Sequence, residues 1–363
     1  MKHALSQQAV ERIAAGLSAV VKSFDSENFK MQACTGLEKL TLKARVSHII
    51  AAIHTQLPDF KAIAPALCEL PHHWDSGNPE AALRGFAAWP IIDFVAVHGI
   101  KHPLPAYQAL EHLTPLFSAE FAIRPFIEKY PDLTFKQLGV WAAHSNEHVR
   151  RLASEGCRPR LPWGIKLRTL VANPAPILPI LEALKNDPSL YVRKSVANNF
   201  NDISKDHPET VLSRLESWQN NASKETQWII RHASRTLIKQ GHPRSLALLG
   251  AHEASINHVE LKLRSQKIKP EGDLAFSVSF ISQKKQKLVI DYAIDFIRAN
   301  GQHNSKVFKL KTLEADQGQV VTLSKRYSFK TITTRRYYSG QQRVHIQVNG
   351  KRVASQSFEL KPA

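Results

Sequence analysis

The segment His148-Val149-Arg150-Arg151-Leu152-Ala153 returns in altered form as Tyr191-Val192-Arg193-Lys194-Ser195-Val196 and again as Ile229-Ile230-Arg231-His232-Ala233. Aligning Arg150, Arg193 and Arg231 sets the copies 43 and 38 residues apart. That interval is the length of a two-helix HEAT or armadillo repeat. One such helix pair cannot bury its apolar face alone, so the pairs stack into an α-solenoid with a concave face. Asp187 stands six residues before Arg193 as Glu225 stands six before Arg231, a spacing suited to a ladder of ion pairs between repeats.

Outward from these copies, the helical period holds from residue 5 to about 255. Val10, Ile13, Leu17, Val20 and Val21 form one stripe, and Ala44, Val46, Ile49, Ile50 and Ile53 another. Pro58, Pro71, Pro90, Gly99, Pro103, Pro131, Pro162, Pro188 and Pro208 punctuate the pattern, which predicts many short helices. After about residue 258 the period drops to two. Leu274, Phe276, Val278 and Phe280 alternate with polar residues, as do Leu288, Ile290, Tyr292, Ile294 and Phe296, and Val344, Ile346 and Val348. Asn349-Gly350 is a two-residue hairpin turn leading into Val353 to Leu360. About seven strands in this stretch fit an immunoglobulin-like β-sandwich without the cysteine pair of antibody domains. The expected architecture is multidomain: an all-α HEAT-like solenoid over 1–257, then an all-β sandwich over 258–363.

The length of 363 residues suits two domains, and 43% hydrophobic with 22% charged residues is ordinary for a globular chain. No apolar run is long enough to span a bilayer and Met1 to Gln8 lacks the layout of a signal peptide, so the expected location is the cytoplasm, on the nucleoid when DNA is bound. Cys34, Cys68 and Cys157 lack CxxC or Cys/His ligand spacing, and neither disulfides nor a metal site is expected. Phosphate loops, GxSxG elbows, HExxH and kinase signatures are absent from the sequence, so those reactions have no anchor. The seventeen histidines are scattered and read as surface or core residues.

Charge separates the remaining classes. Lys and Arg number 49 against 31 Asp and Glu, a net of +18, and the pI is near 9.8. A polyanion is the expected partner, and nucleic acid fits best because neutralising phosphates releases counterions. A ribosome-associated or simply basic protein is the alternative. Residues 259–363 hold 20 Lys and Arg against 8 Asp and Glu, a net of +12, which leaves +6 for the rest. Lys284-Lys285, Lys287, Arg335-Arg336, Arg343 and Lys351-Arg352 are expected at or near sandwich loops, where such folds present binding surfaces. In the solenoid, Arg151, Lys166, Arg168, Arg193, Lys194 and Arg231 are expected to line one groove and hold phosphates.

Three carboxylates stand out. Glu120 interrupts the apolar, helical-looking run from Phe117 to Phe126; Glu155 closes the helix begun at Val149; Asp202 lies nine residues past Arg193. Their separations of 35 and 47 residues are near the repeat interval, so a solenoid can stack them on one face. Each also has a plain structural alternative: Glu120 pairing with Arg124, Glu155 with Arg151, Asp202 capping a helix or pairing with Lys205. Trp163, between Pro162 and Gly164, sits at a loop rather than in an apolar stripe, where core packing and ligand contact are both open.

The run Phe117-Ser118-Ala119-Glu120-Phe121-Ala122-Ile123-Arg124-Pro125-Phe126, within Trp89 to Phe126, resembles the AlkC branch of the AlkC/AlkD alkylpurine DNA glycosylases. So do His148-Val149-Arg150-Arg151-Leu152-Ala153-Ser154-Glu155-Gly156 and Leu161-Pro162-Trp163-Gly164. The resemblance covers nearly the whole helical region, and some members of that branch carry a C-terminal immunoglobulin-like domain. It implies excision of cationic N-alkylated bases, chiefly 3-methyladenine and also 3-methylcytosine, from double-stranded DNA by a monomer, without flipping the lesion into a deep pocket. It further implies that Glu155 and Glu120 face the lesion deoxyribose with Asp202 as a third acid, and that Trp163 lies against the lesion nucleotide. No metal or organic cofactor is expected, because a methylated cationic base leaves as a neutral molecule and the sugar cation is what needs stabilising. The competing reading is a non-catalytic HEAT scaffold that binds nucleic acid. A groove built only for phosphate would exclude acidic residues, so the carboxylates discriminate between the two.

Overall fold

The computed structural model describes residues 2–57, 59–75, 85–331 and 336–362. Sixteen α-helices occur among the described residues, all before residue 250, and strands occupy the chain from Ile256 onward. By internal contacts the chain divides into two units, residues 1–206 with 223–229 and residues 207–222 with 230–363. The change of period near 258 thus falls inside the second unit, where Leu246 and Ala251 of the preceding helical stretch pack on Val289 of the sheet.

In the first unit, proline opens helices rather than breaking them. Pro90, Pro103 and Pro131 sit in the first turns of helices Trp89–His98, Pro103–Leu113 and Pro131–Ala142, where no N–H is needed. Helix Glu147–Gly156 starts at Asn146, whose Oδ1 accepts the His148 N–H at 2.8 Å. Its buried face is Val149, Leu152, Ala153 and Gly156, the one-sided stripe of a 3.6-residue period. Helix Leu190–Ile203 of the next repeat buries Val192, Val196 and Phe200 in the same way. The two repeats also meet through polar groups: Ser154 Oγ donates to Ser195 Oγ at 2.6 Å, and Asn199 Nδ2 donates to the Ser154 carbonyl at 2.8 Å.

The ladder differs from the six-residue spacing. Asp187 takes a two-pronged ion pair from Arg150 of the preceding repeat, at 2.6 and 3.2 Å, while Arg193 donates to the carbonyls of Asp187 and Pro188 at 2.8 and 2.6 Å. Asp187 also accepts the Ser189 N–H, so its carboxylate is filled before Arg193 reaches it.

The Phe117–Phe126 run differs as well. Only Arg124–Lys129 is helical; Phe117 lies at a bend and residues from Ala119 to Ile123 form turns. Thr114 Oγ1 accepts the Ala119 N–H at 3.2 Å, a side-chain bond that competes with the helix. The turns let Phe117 and Phe121 both pack on Trp89, with centroids 5.9 Å away in each case.

Among the described residues eight strands, not seven, build the sandwich: β1 Ile256–Leu263, β2 Lys267–Ile268, β3 Asp273–Ser282, β4 Gln286–Ile297, β5 His303–Ala315, β6 Val320–Ser328, β7 Gly340–Val348 and β8 Lys351–Leu360. One sheet has the order β1-β3-β6 and the other β2-β8-β7-β4-β5. Every pair is antiparallel except β2 with β8. The alternating residues read from the sequence face inward: Leu274, Phe276, Val278 and Phe280 meet Leu288, Ile290, Tyr292, Ile294, Val344 and Ile346 in one core. The β7–β8 hairpin turns at Asn349 and Gly350 with φ of 45° and 79°, as a type I′ turn requires. A Cβ on Gly350 would lie 2.5 Å from Gly241 Cα, so the close approach of these two backbones also demands glycine.

Among the described residues no helix is long and apolar enough to cross a membrane.

Candidate functional site

Glu120, Glu155 and Asp202 are joined into a single line of alternating charge. Arg151, on the same helix face as Glu155 at i+4, donates through Nη1 to Glu120 Oε2 at 2.7 Å and lies 3.4 Å from Glu155 Oε1 through Nη2. Just past that helix, Arg158 donates to Glu155 Oε1 at 2.7 Å and to Asp202 Oδ2 at 2.8 Å. Lys205 closes the line on Asp202 Oδ1 at 2.9 Å. Of the sequence alternatives, Glu155 with Arg151 and Asp202 with Lys205 both form; Glu120 takes Arg151 rather than Arg124. Arg124 is fully buried and turned the other way, donating to the carbonyls of Gly156 at 2.7 Å, Arg158 at 2.8 Å and Ile165 at 2.9 Å. Burial lowers its pKa to about 10.

Arg158 was not singled out by the sequence reading, although its position three residues beyond Glu155 was a usable signal. Its effect is electrostatic. Burial pushes the Glu155 carboxyl up, but the charges of Arg151 and Arg158 outweigh it and hold the acid below its ordinary range. Glu155 is 5% exposed, and its Oε2 is buried with no hydrogen-bond partner among the described residues. The Ser195 hydroxyl also helps to hold the acid down, so the site presents a buried, ionised carboxylate whose Oε2 meets no donor at full hydrogen-bond geometry, an expensive arrangement in a folded interior. Arg151 also lies over the Tyr191 ring, 4.6 Å from its centroid.

Trp163 lines a different place. It adopts φ of 68°, unusual for a bulky residue, and is 58% exposed. Lys43 Nζ donates to its carbonyl at 3.1 Å. With Trp89, Phe121, Asp93 and Lys43 it bounds a cavity of about 290 Å³ that none of the three network carboxylates lines. Trp89 Nε1 donates to Asp93 Oδ2 at 2.7 Å, and burial pushes the Asp93 carboxyl up to about 6 against the pull of that N–H and of Lys43. Asp93 too escaped the sequence reading, because an acid inside an apolar helix gives no sign of which cavity it enters.

The basic residues fall into three groups. Lys166, Arg168 and Lys194 are exposed and make no ion pair among the described residues, and Arg231 is exposed on helix Lys224–Ala233. Arg151 and Arg193 are instead engaged with protein groups. In the sandwich, Lys284 and Lys285 are exposed in the β3–β4 turn and Arg352 is exposed in β8, two residues after the β7–β8 turn. Arg336 is exposed, 5.5 Å from the Tyr338 ring. Lys351 pairs with Glu253. Arg343 lies inside β7, not in a loop, opposite Asp295 of β4 and Ser357 of β8. Arg335 lies outside the described residues. Among the described residues no group of three or more His, Cys, Asp or Glu side chains is arranged to hold a metal ion.

Over residues 1–237 the sequence matches the family described as "DNA alkylation repair enzyme". Over residues 257–362 it matches the one described as "Uncharacterised protein YhaZ, C-terminal Ig-like domain". A relative from Bacillus subtilis (strain 168), "Uncharacterized protein YhaZ", is 40% identical over 327 residues, covering 89% of this chain and 88% of its own. The solved structure of Pseudomonas fluorescens alkylpurine DNA glycosylase AlkC, bound to DNA containing an abasic site analog, matches with a TM-score of 0.89 at 38% identity, covering 99% of both chains. The chain belongs to the DNA alkylation repair enzyme family and carries a C-terminal immunoglobulin-like domain.

Proposed function

We propose that the protein is a monofunctional DNA glycosylase. It hydrolyses the N-glycosidic bond of cationic N-alkylated bases, 3-methyladenine and 3-methylcytosine, in duplex DNA. It acts as a monomer, without a deep pocket for a flipped lesion and without a metal or organic cofactor. The observation that carries this reading is Glu155: buried, held ionised by two arginines, and with an Oε2 that meets no donor at full hydrogen-bond geometry.

The chemistry follows from where charge develops. The alkylated base already bears a positive charge, so it departs as a neutral molecule when the C1′–N bond breaks, and the electron deficit passes to the sugar. Fixed carboxylates stabilise that oxocarbenium-like sugar, and a carboxylate oxygen at the site accepts a hydrogen bond from the attacking water. Water adds at C1′ and loses its proton to the carboxylate and then to solvent. Glu155 and Glu120 take these roles. Arg151 fixes both acids, and Asp202 acts through Arg158 to hold Glu155 in place. Lys166, Arg168, Lys194 and Arg231 supply phosphate contacts on the helical side, and Lys284, Lys285, Arg336, Arg343 and Arg352 supply them on the sandwich. The similarity to AlkC, solved on DNA, supports DNA as the partner.

The test incubates the protein with methylated duplex DNA and measures free 3-methyladenine. Glu155→Ala is expected to lower release by about 10²–10³-fold, the effect of deleting one preorganised charge-stabilising group. No release by the unaltered protein defeats the reading and favours a binding scaffold.

A further inference from the structure

We infer that the cavity between Trp89, Phe121 and Trp163 is a product site, holding the free N-methylated purine after its bond to the sugar is cut; this rests on the glycosylase reading above. Three features of the cavity carry it. First, Val97, Trp163 and Ile165, which are 55%, 58% and 47% exposed, all line this one cavity. Clustered exposed apolar groups around a concavity mark a ligand site rather than ordinary surface.

Second, the chemistry of the walls suits a flat heterocycle. Phe121 and Trp163 offer ring faces for stacking, Trp89 is buried behind them against Phe86, Phe117 and Phe121, and Asp93 brings a carboxyl whose Oδ2 is taken by Trp89 Nε1. Asp93 lines the cavity, and its other oxygen can accept from the exocyclic amine of a purine seated there. Desolvation, which raises the Asp93 carboxyl towards neutral pH, means that a donor arriving there is well rewarded.

Third, size and backbone agree. A volume of about 290 Å³ lies near the lower end of the range of small-ligand pockets and suits a ligand of the size of one methylated purine. Trp163 is held at positive φ with its carbonyl bonded to Lys43, so the strained turn fixes one wall of the cavity before any ligand arrives. Glu120, Glu155 and Asp202 do not line the cavity, so a base seated in it has left the charge line free for the sugar.

The experiment titrates the full-length protein with free 3-methyladenine, following tryptophan fluorescence and calorimetric heat. Saturable binding is expected, weakened at least tenfold by Asp93→Asn and by Trp163→Ala. Trp163 is mostly exposed, so loss of its ring leaves the core intact, and far-ultraviolet circular dichroism verifies both variants. No saturable binding, or equal affinity in both variants, overturns the product site. Base release from methylated DNA is measured in parallel on the unaltered protein. Release without binding defeats the product site alone, whereas binding without release supports the cavity and defeats the glycosylase reading.

Discussion

Replacing Arg158 with methionine removes the cation that stands between Glu155 and Asp202 while keeping its aliphatic bulk. Arg158 is 7% exposed and makes hydrogen bonds of 2.8 Å to Asp202 and 2.7 Å to Glu155, with a second ion-pair contact of 2.8 Å to Asp202. Breaking a buried ion pair from one side costs about 3–5 kcal/mol, because the remaining charge has no compensation. Here Asp202 keeps Lys205 and Glu155 keeps Arg151, so the expected loss at pH 7 is at the lower end, about 3 kcal/mol. The pH dependence fixes the cause. In the unaltered protein the Glu155 pKa is depressed on folding, so its stabilisation is full above the unfolded value and lost as pH falls through the folded one. Without Arg158, burial gains on the single remaining arginine and the folded pKa rises, so protonation relieves the variant as pH falls. Urea unfolding followed by tryptophan fluorescence at pH 7 and pH 5 reads both effects, and the acid limb of base release should move to higher pH. A loss under about 1 kcal/mol, or a deficit that does not shrink at pH 5, refutes the view that Arg158 governs Glu155.

Arg124→Met leaves the carbonyls of Gly156, Arg158 and Ile165 without their donor. It should cost about 3 kcal/mol, the order expected when buried carbonyls lose their donor, and open the loop around Trp163 to limited proteolysis; uncleaved loop and unchanged urea midpoint would disprove its bracing role. Lys166→Ala and Arg168→Ala should each flatten the slope of log binding constant against log salt by about 0.9, measured by fluorescence anisotropy on duplex DNA; an unchanged slope removes that residue from the interface. Asn349→Ala deletes three side-chain hydrogen bonds, to Val289 N, His252 O and Lys287 O, at a positive-φ turn position. A destabilisation of about 3 kcal/mol is expected, visible as a lowered thermal midpoint, and a shift under a degree would contradict it.

Much of this was legible in the sequence because it depends on local period. The repeated Val-Arg-Arg and Val-Arg-Lys segments, the alternation from Leu274 to Phe280 and the Asn349-Gly350 turn each encode a one-sided surface or a backbone angle. The edge strand β5 did not show itself, since Lys306, Lys309 and Lys311 break any apolar alternation there. Arg343 looked like a loop residue because charge was read without register. The bend and turns from Phe117 to Ile123 were hidden by an apolar run that a helix would also produce.

The site divides along the same line. Spacing close to the repeat interval placed Glu120, Glu155 and Asp202 within reach of one another, but it could not assign their partners. Arg151 reaches across 31 positions to Glu120, and Arg158 across 44 to Asp202. Asp93 and Trp163 share one cavity although 70 positions separate them. By itself the sequence determined the helical repeats, the sandwich and the positive charge, because amphipathic period and net charge are sums over neighbouring residues. Only the tertiary structure decided which arginine neutralises which acid and which carboxylate oxygen meets no donor at full hydrogen-bond geometry, because ion pairing and desolvation depend on distances between segments far apart in the chain.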